Sequence, residues 1–158
     1  DASIAHSFSN KNFKLKQNFK NYFLKRLLIP EPKIELGLKL LNFAEFCTDL
    51  SDGLIGDLGK VCDSSRLCAN IFFDQIPLSN ATKEILKRFG NRKKIWETIL
   101  CGGDDYELIF SLDPISSKKL KKEIKIYNIG FFSEGSGVKI FDYNKRLINF
   151  RKDGFSHF

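Results

Sequence analysis

Methionine is absent from all 158 residues of the chain. A translated chain begins with one, so Asp1 is not expected to be a natural start and the sequence reads as a piece of something longer. Histidine is nearly absent too, with only His6 and His157. The four cysteines, at 47, 62, 68 and 101, have no C-x-x-C spacing, which argues against a zinc site. Three of them lie in apolar settings, as free thiols do in a reducing cytosol, rather than in a disulfide framework. Long apolar runs are missing as well: Ile71-Phe72-Phe73 falls far short of a membrane span. With no secretory signal visible, a cytoplasmic protein is expected.

What is present is length for one good-sized core and a net charge of +7. The positive charge crowds the start, where Lys11, Lys14, Lys16, Lys20, Lys25 and Arg26 alternate with Phe13, Phe19, Tyr22 and Phe23. Lysines that release counterions beside rings that stack on bases would suit a basic nucleic-acid-binding module. The competing reading is stronger. Phe19, Tyr22, Phe23 and Arg26 or Leu27 keep the 3.6-residue period, so the rings face a core and the lysines face water.

In chain order, the pattern predicts a helix from Lys16 to Leu28, stopped by Pro30-Glu31-Pro32, and a second from Glu35 to Ala44. A strand over Phe46 to Leu50 leads into a helix ending near Ser64, and Leu67 to Phe73 is the next strand. Ser79 caps a helix to about Phe89, and Lys94 to Leu100 is helical. Tyr106 to Leu112 is a strand, Pro114 opens a lysine-rich helix, and Ile124 to Phe132 is a strand. Glu134-Gly135-Ser136-Gly137 then turns into strand Val138 to Phe141, and Asp142 to Lys145 into a last strand, Leu147 to Arg151. Early alternation of strand and helix, closed by a hairpin, implies an α+β domain with a mixed β-sheet packed with helices.

The most informative stretch is Thr48-Asp49-Leu50-Ser51-Asp52-Gly53-Leu54. A short apolar strand turns there directly into a helix whose apolar positions are Leu54, Leu58 and Val61. Asp49 and Ser51 share one face of the extended segment. Asp52-Gly53 opens the helix, where backbone N–H groups are unpaired and the dipole is positive. Such a corner can hold anions and, through Asp49 and Asp52, hard cations. Taken alone, Ser51 or Asp52 is more simply a helix cap. Two further segments change that balance: Cys101-Gly102-Gly103-Asp104-Asp105-Tyr106-Glu107-Leu108, and the terminal Gly154-Phe155-Ser156-His157-Phe158.

In this order the three segments resemble thiamine-monophosphate kinase, a family with a D-x-S-D-G-L turn, a G-G-E-D-Y-E-L segment and a terminal G-[aromatic]-D-H-F. The resemblance runs from about Lys25 to Phe158 and covers the C-terminal half of a typical member. It implies the C-terminal domain fold of the aminoimidazole ribonucleotide synthetase-like superfamily. Residues 1–158 would then be the C-terminal domain of a two-domain kinase, with residues 1–28 a connecting helix region and an N-terminal nucleotide and metal domain absent. The implied reaction is in-line transfer of a phosphoryl group from ATP to thiamine monophosphate with Mg²⁺, and no side-chain acid or base. By position, Asp49 and Asp52 correspond to metal ligands, Ser51 to an ATP contact, and Asp104 and Phe155 to substrate contacts.

The departures are specific. Asp104 stands for the family's glutamate, Ser156 for the aspartate of the last motif, and Ile29 and Lys33 for the arginines of the Arg-Pro-x-Pro-Arg break. The resemblance further implies a homodimer at full length and an inactive fragment. The alternatives are another ATP-using member of the superfamily, of the cyclo-ligase or selenophosphate synthetase type, or the nucleic-acid module.

Overall fold

The computed structural model describes residues 1–9, 15–89 and 92–148, the side chains of Phe8, Ser9 and Arg92 aside. Helices α1 (Ala2–Ser9), α2 (Gln17–Leu28) and α3 (Ile34–Leu40) precede strand β1 (Ala44–Asp49). Then come α4 (Leu54–Ser65), β2 (Leu67–Phe72), a 3₁₀ turn (Phe73–Gln75), α5 (Asn80–Arg88) and α6 (Arg92–Cys101). Strand β3 (Leu108–Leu112), α7 (Pro114–Leu120), β4 (Gly130–Glu134), β5 (Gly137–Phe141) and β6 (Leu147–Ile148) complete the described chain. The architecture is α+β, as the alternation implied.

There are two sheets among the described residues. β1 and β3 form an antiparallel pair, and the other four strands form a mixed sheet in the order β4-β2-β5-β6. The side chains of Leu54, Leu58 and Cys62 on α4 form one core with Ala69 and Ile71 of β2, Trp96 and Leu100 of α6, Ile109 of β3 and Ile140 of β5. Phe46 of β1 meets Phe132 of β4 edge to face, with ring centroids 5.4 Å apart, so the two sheets close on the same core. A second core joins Ile4 and Ala5 of α1 to Phe23 of α2 and to Ala81 and Ile85 of α5, with Ile95 and Ile99 of α6 against it. Residues 1–28 thus carry two helices packed on α5 and α6. Phe19, Phe23 and Leu27 face this core, which removes both phenyl rings from any base-stacking surface. Tyr22 stays exposed, and Phe13 lies outside the described residues.

Local chemistry fixes several boundaries. The Ser79 hydroxyl accepts from Thr82 N at 3.1 Å, capping α5. Asp113 accepts from Ile115 N and Ser116 N before Pro114 opens α7. The hydrogen bonds from Ser116 and Ile115 hold the Asp113 carboxyl below its ordinary range.

Three expectations shift. The helix expected to reach Ala44 ends at Leu40, because Ala44 is claimed by pairing with Leu112 of β3. β3 begins at Leu108 rather than Tyr106, because Tyr106 has a φ of 50°, which no strand accommodates. The strand expected from Ile124 begins at Gly130: Ile124 N still bonds to Leu120 O at the end of α7. Gly130 then passes so close to β2 that a Cβ would lie 2.1 Å from Asn70 O. The turn at residues 134–137 leads into β5, as expected, and β2 lies between β4 and β5. Glu134 is opposite Leu67 and Gly137 is opposite Cys68, so the chain steps over the start of β2, with β4 antiparallel and β5 parallel to it. The hairpin at Asp142 to Lys145 is present, pairing Phe141 with Leu147, while residues 149–151 of the last strand lie outside the described residues.

Candidate functional site

Along β1 the side chains alternate, with Phe46 and Thr48 turned toward the interior and Glu45, Cys47 and Asp49 exposed. Asp49 ends the strand on the solvent face, and among the described residues no hydrogen bond or ion pair reaches its carboxylate. Its charge, after burial, pushes the Cys47 thiol above its ordinary pKa.

Beyond Asp49 the chain turns through Ser51, Asp52 and Gly53 into α4. Gly53 has a φ of 99°, and a Cβ there would lie 2.7 Å from the Cys101 carbonyl carbon. Only glycine meets both conditions. The buried Asp57, in the first turn of α4, closes the corner from below: its Oδ2 accepts from Ser51 N at 3.0 Å and from Asp52 N at 2.9 Å. Its Oδ1 accepts from Lys60 Nζ at 3.0 Å, and the same ammonium is bonded to Asp52. These two carboxylates lift the Lys60 pKa, Asp52 more than Asp57.

The second loop, residues 101–107, lies directly on this corner. Asp104 N donates to Ser51 O at 3.0 Å, Tyr106 N to Leu50 O at 2.9 Å, and Leu50 N to Glu107 O at 2.9 Å. The β1–β3 ladder therefore continues past its strand ends and brings Asp49, Ser51, Asp52 and Asp104 to one edge. Phe155 lies outside the described residues. The Tyr106 hydroxyl donates to Asp104 Oδ1 at 3.2 Å. Asp105 ties the loop to α1 by accepting from Ala2 N at 3.0 Å. Glu107 accepts from Arg26 at 2.7 Å and sits 3.3 Å from Lys33 Nζ. Lys33 is the surviving basic position of the Pro30–Pro32 break; Ile29, at the other, is exposed.

Of the sequence-derived residues, then, four meet at one corner. Asp49 is open, whereas Asp52 is half-buried and already carries a cation, the Lys60 ammonium. That ammonium shows that the corner's carboxylates attract positive charge, and their hard oxygens suit Mg²⁺. Among the described residues no three His, Cys, Asp or Glu side chains converge on a point that could hold a metal ion.

Comparison with known proteins gives the corner its family. A thiamine-monophosphate kinase of Buchnera aphidicola subsp. Acyrthosiphon pisum is 36% identical over 148 residues, covering 89% of this chain and 44% of the relative. The chain belongs to the thiamine-monophosphate kinase family. It spans less than half the length of that relative. Among solved structures, the thiamine-monophosphate kinase of Stenotrophomonas maltophilia K279a superposes with a TM-score of 0.74 at 31% identity, over 88% of this chain and 45% of that one. AaThiL complexed with AMPPCP and TMP superposes with a TM-score of 0.78 at 25% identity, over 99% of this chain and 47% of that one. No protein-family profile matches the chain.

Sequence reasoning missed Asp57, Lys60, Tyr106 and Arg26. Asp57 had a readable signal, a carboxylate in the first turn of α4 where the dipole favours it. Lys60, three residues on, shares its face. Asp57→Ala should strand the amides of Ser51 and Asp52 and lower stability by about 2–4 kcal/mol. Urea unfolding followed by circular dichroism measures it, with Leu58→Ala as a core reference.

Tyr106 gives a pH signature. Its phenol is raised above the ordinary tyrosine pKa by the hydrogen bond to Asp104, then by that carboxylate's charge. A folded pKa above the unfolded one means that the bond stabilises fully below the ordinary tyrosine range and is lost as pH rises through the folded value. Ultraviolet titration of phenolate should show one tyrosine ionising late, and Asp104→Ala should return it toward the ordinary range.

Proposed function

We propose that this chain supplies the C-terminal half of a kinase that phosphorylates thiamine monophosphate to thiamine diphosphate at the expense of ATP. The observation that carries the reading is the Ser51 O to Asp104 N bond, which joins the two loops matching the family's D-x-S-D-G-L and G-G-E-D-Y-E-L segments into one edge. Its support is the family itself, with a structural relative in complex with AMPPCP and TMP.

The acceptor is a phosphate monoester with a second pKa of about 6, so it reaches the site already an anionic nucleophile and needs no base. The task is to bring two anions into line, by positioning and by offsetting their charge. Asp49 and Asp52 are the residues that would hold Mg²⁺, which when bound offsets phosphate charge. For Asp52 to do so, Lys60 must release it. Ser51 contributes its hydroxyl to the nucleotide phosphates, its own amide and that of Asp52 being taken by Asp57. By their positions in the family's motifs, Asp104 and Phe155 are the residues that would contact the thiamine portion, where an aromatic ring suits the cationic thiazolium. The remaining nucleotide and metal contacts come from the N-terminal half that its relatives carry, in a cytoplasmic homodimer.

The test is conversion of thiamine monophosphate to thiamine diphosphate by the longest natural chain that contains this sequence, with ATP and Mg²⁺, followed by chromatography. No product under saturating substrates would refute the reading. Residues 1–158 alone should give none, because the other half of the phosphate site is missing; turnover by the fragment would refute that division of labour.

A further inference from the structure

Two non-glycine residues of the second loop, Asp104 with φ 66° and Tyr106 with φ 50°, occupy the left-handed region. For an aspartate this is tolerable; for a tyrosine it is rare and strained. Such strain persists only where the surroundings enforce it. Here they do so from several sides. The amides of Asp104 and Tyr106 are held by the carbonyls of Ser51 and Leu50. The carboxylate of Asp105, between them, is tied to α1, and its carbonyl accepts from Arg26 at 3.2 Å.

The loop would make the same backbone bonds with glycine at 106 and less strain. What tyrosine adds is its hydroxyl. The ring is exposed, so core packing does not account for it. The hydroxyl lies on Asp104 Oδ1 at 3.2 Å. The phenol is therefore bonded to the Asp104 carboxylate and feels the charge of Asp49 at the end of β1.

We propose that Tyr106 is a positioning residue for Asp104: its hydroxyl holds Oδ1, fixes the carboxylate plane, and leaves Oδ2 as the acceptor for the organic part of the acceptor substrate. This rests on the kinase reading and adds to it a residue that acts through another. A carboxylate one methylene shorter than glutamate has fewer torsions to correct its aim, so a fixed plane matters more.

The experiment is Tyr106→Phe in the longest natural chain, which keeps the ring and removes one oxygen. KM for thiamine monophosphate should rise about three- to tenfold, the weight of one hydrogen bond to a charged group, with kcat and KM for ATP changed less than about twofold. In an Asp104→Ala background the same substitution should add nothing, because the group it positions is gone. An unchanged KM in Tyr106→Phe, equal losses for both substrates, or a full additional effect on Asp104→Ala would each overturn the inference while leaving the kinase reading intact. Wild-type protein that makes no thiamine diphosphate would overturn the kinase reading, and this inference with it.

Discussion

Asp49→Asn in the longest natural chain should lower kcat for thiamine diphosphate formation about a hundredfold or more, while moving the thermal midpoint by no more than about 2 °C. The two halves of that expectation come from different observations. Asp49 is exposed at the end of β1, its carboxylate bonded to no donor among the described residues, so the fold gains nothing visible from its charge. Surface changes of this kind stay within about 0.5 kcal/mol. The reaction, by contrast, presses together two phosphates, and a ligand that fixes charge-offsetting metal is worth several kcal/mol, each 1.36 of them a factor of ten. The amide keeps size and shape and removes only the charge. Calorimetric titration with Mg²⁺ separates the causes: weaker metal binding with an intact fold supports the assignment. Near-normal turnover at limiting Mg²⁺ would remove Asp49 from the metal site.

Asp52 differs, because its carboxylate is already shared with Lys60. Lys60 follows Asp57 by three residues and so leans back over the corner from the first turns of α4. Removing its charge by Lys60→Met frees Asp52 for a metal but leaves Asp57 without its cation. The two effects oppose each other, which makes this a weaker test than Asp49.

The corner was legible because its chemistry is local. An apolar run, two acids, a serine and a glycine before a helical repeat are all contained in Thr48 to Leu58, and the structure keeps that order. Core positions Leu54 and Leu58 were legible for the same reason, since burial follows period, while Val61 is half-buried and Cys62 takes the inward place. What was not legible depends on partners distant in sequence. Glu134-Gly135-Ser136-Gly137 reads as a turn between strands because its glycines accept positive φ, 132° at Gly135 and 73° at Gly137. Such a turn joins neighbouring strands or steps across the start of a third, and only the pairing of Cys68 with Gly137 decides between the two. Tyr106 reads as the first residue of a strand, because aromatic residues favour strands. Its left-handed backbone is imposed by the carbonyl of Leu50, more than fifty residues earlier in the chain, against its own preference. The strongest disagreement between local preference and observed conformation thus falls within the candidate site.

That same contact makes Gly103 the position where fold and site are hardest to separate, and Gly103→Ala the most disruptive small change expected. A Cβ on Gly103 would lie 2.0 Å from Ser51 O and 3.0 Å from Ser51 C, well inside contact distance. The obstacle is backbone on both sides, so no side-chain rotation relieves it. Ser51 in turn is held from below by Asp57 and by its place in the turn before α4. The loops must therefore part, stretching the Asp104 N to Ser51 O bond and moving Asp104 away from the edge that carries Asp49. Overpacking and a weakened hydrogen bond together should cost about 2–4 kcal/mol, a fall of roughly 10 °C in thermal midpoint for a domain this size. Turnover should fall even at temperatures where the variant is fully folded, because the two halves of the edge no longer meet. Gly59→Ala is the control: it sits on α4, where an added methyl would meet no atom within 4 Å, and alanine there should hold or slightly raise stability. If Gly103→Ala instead melted like wild type and kept its activity, the close backbone contact that assembles the whole candidate site would be wrong.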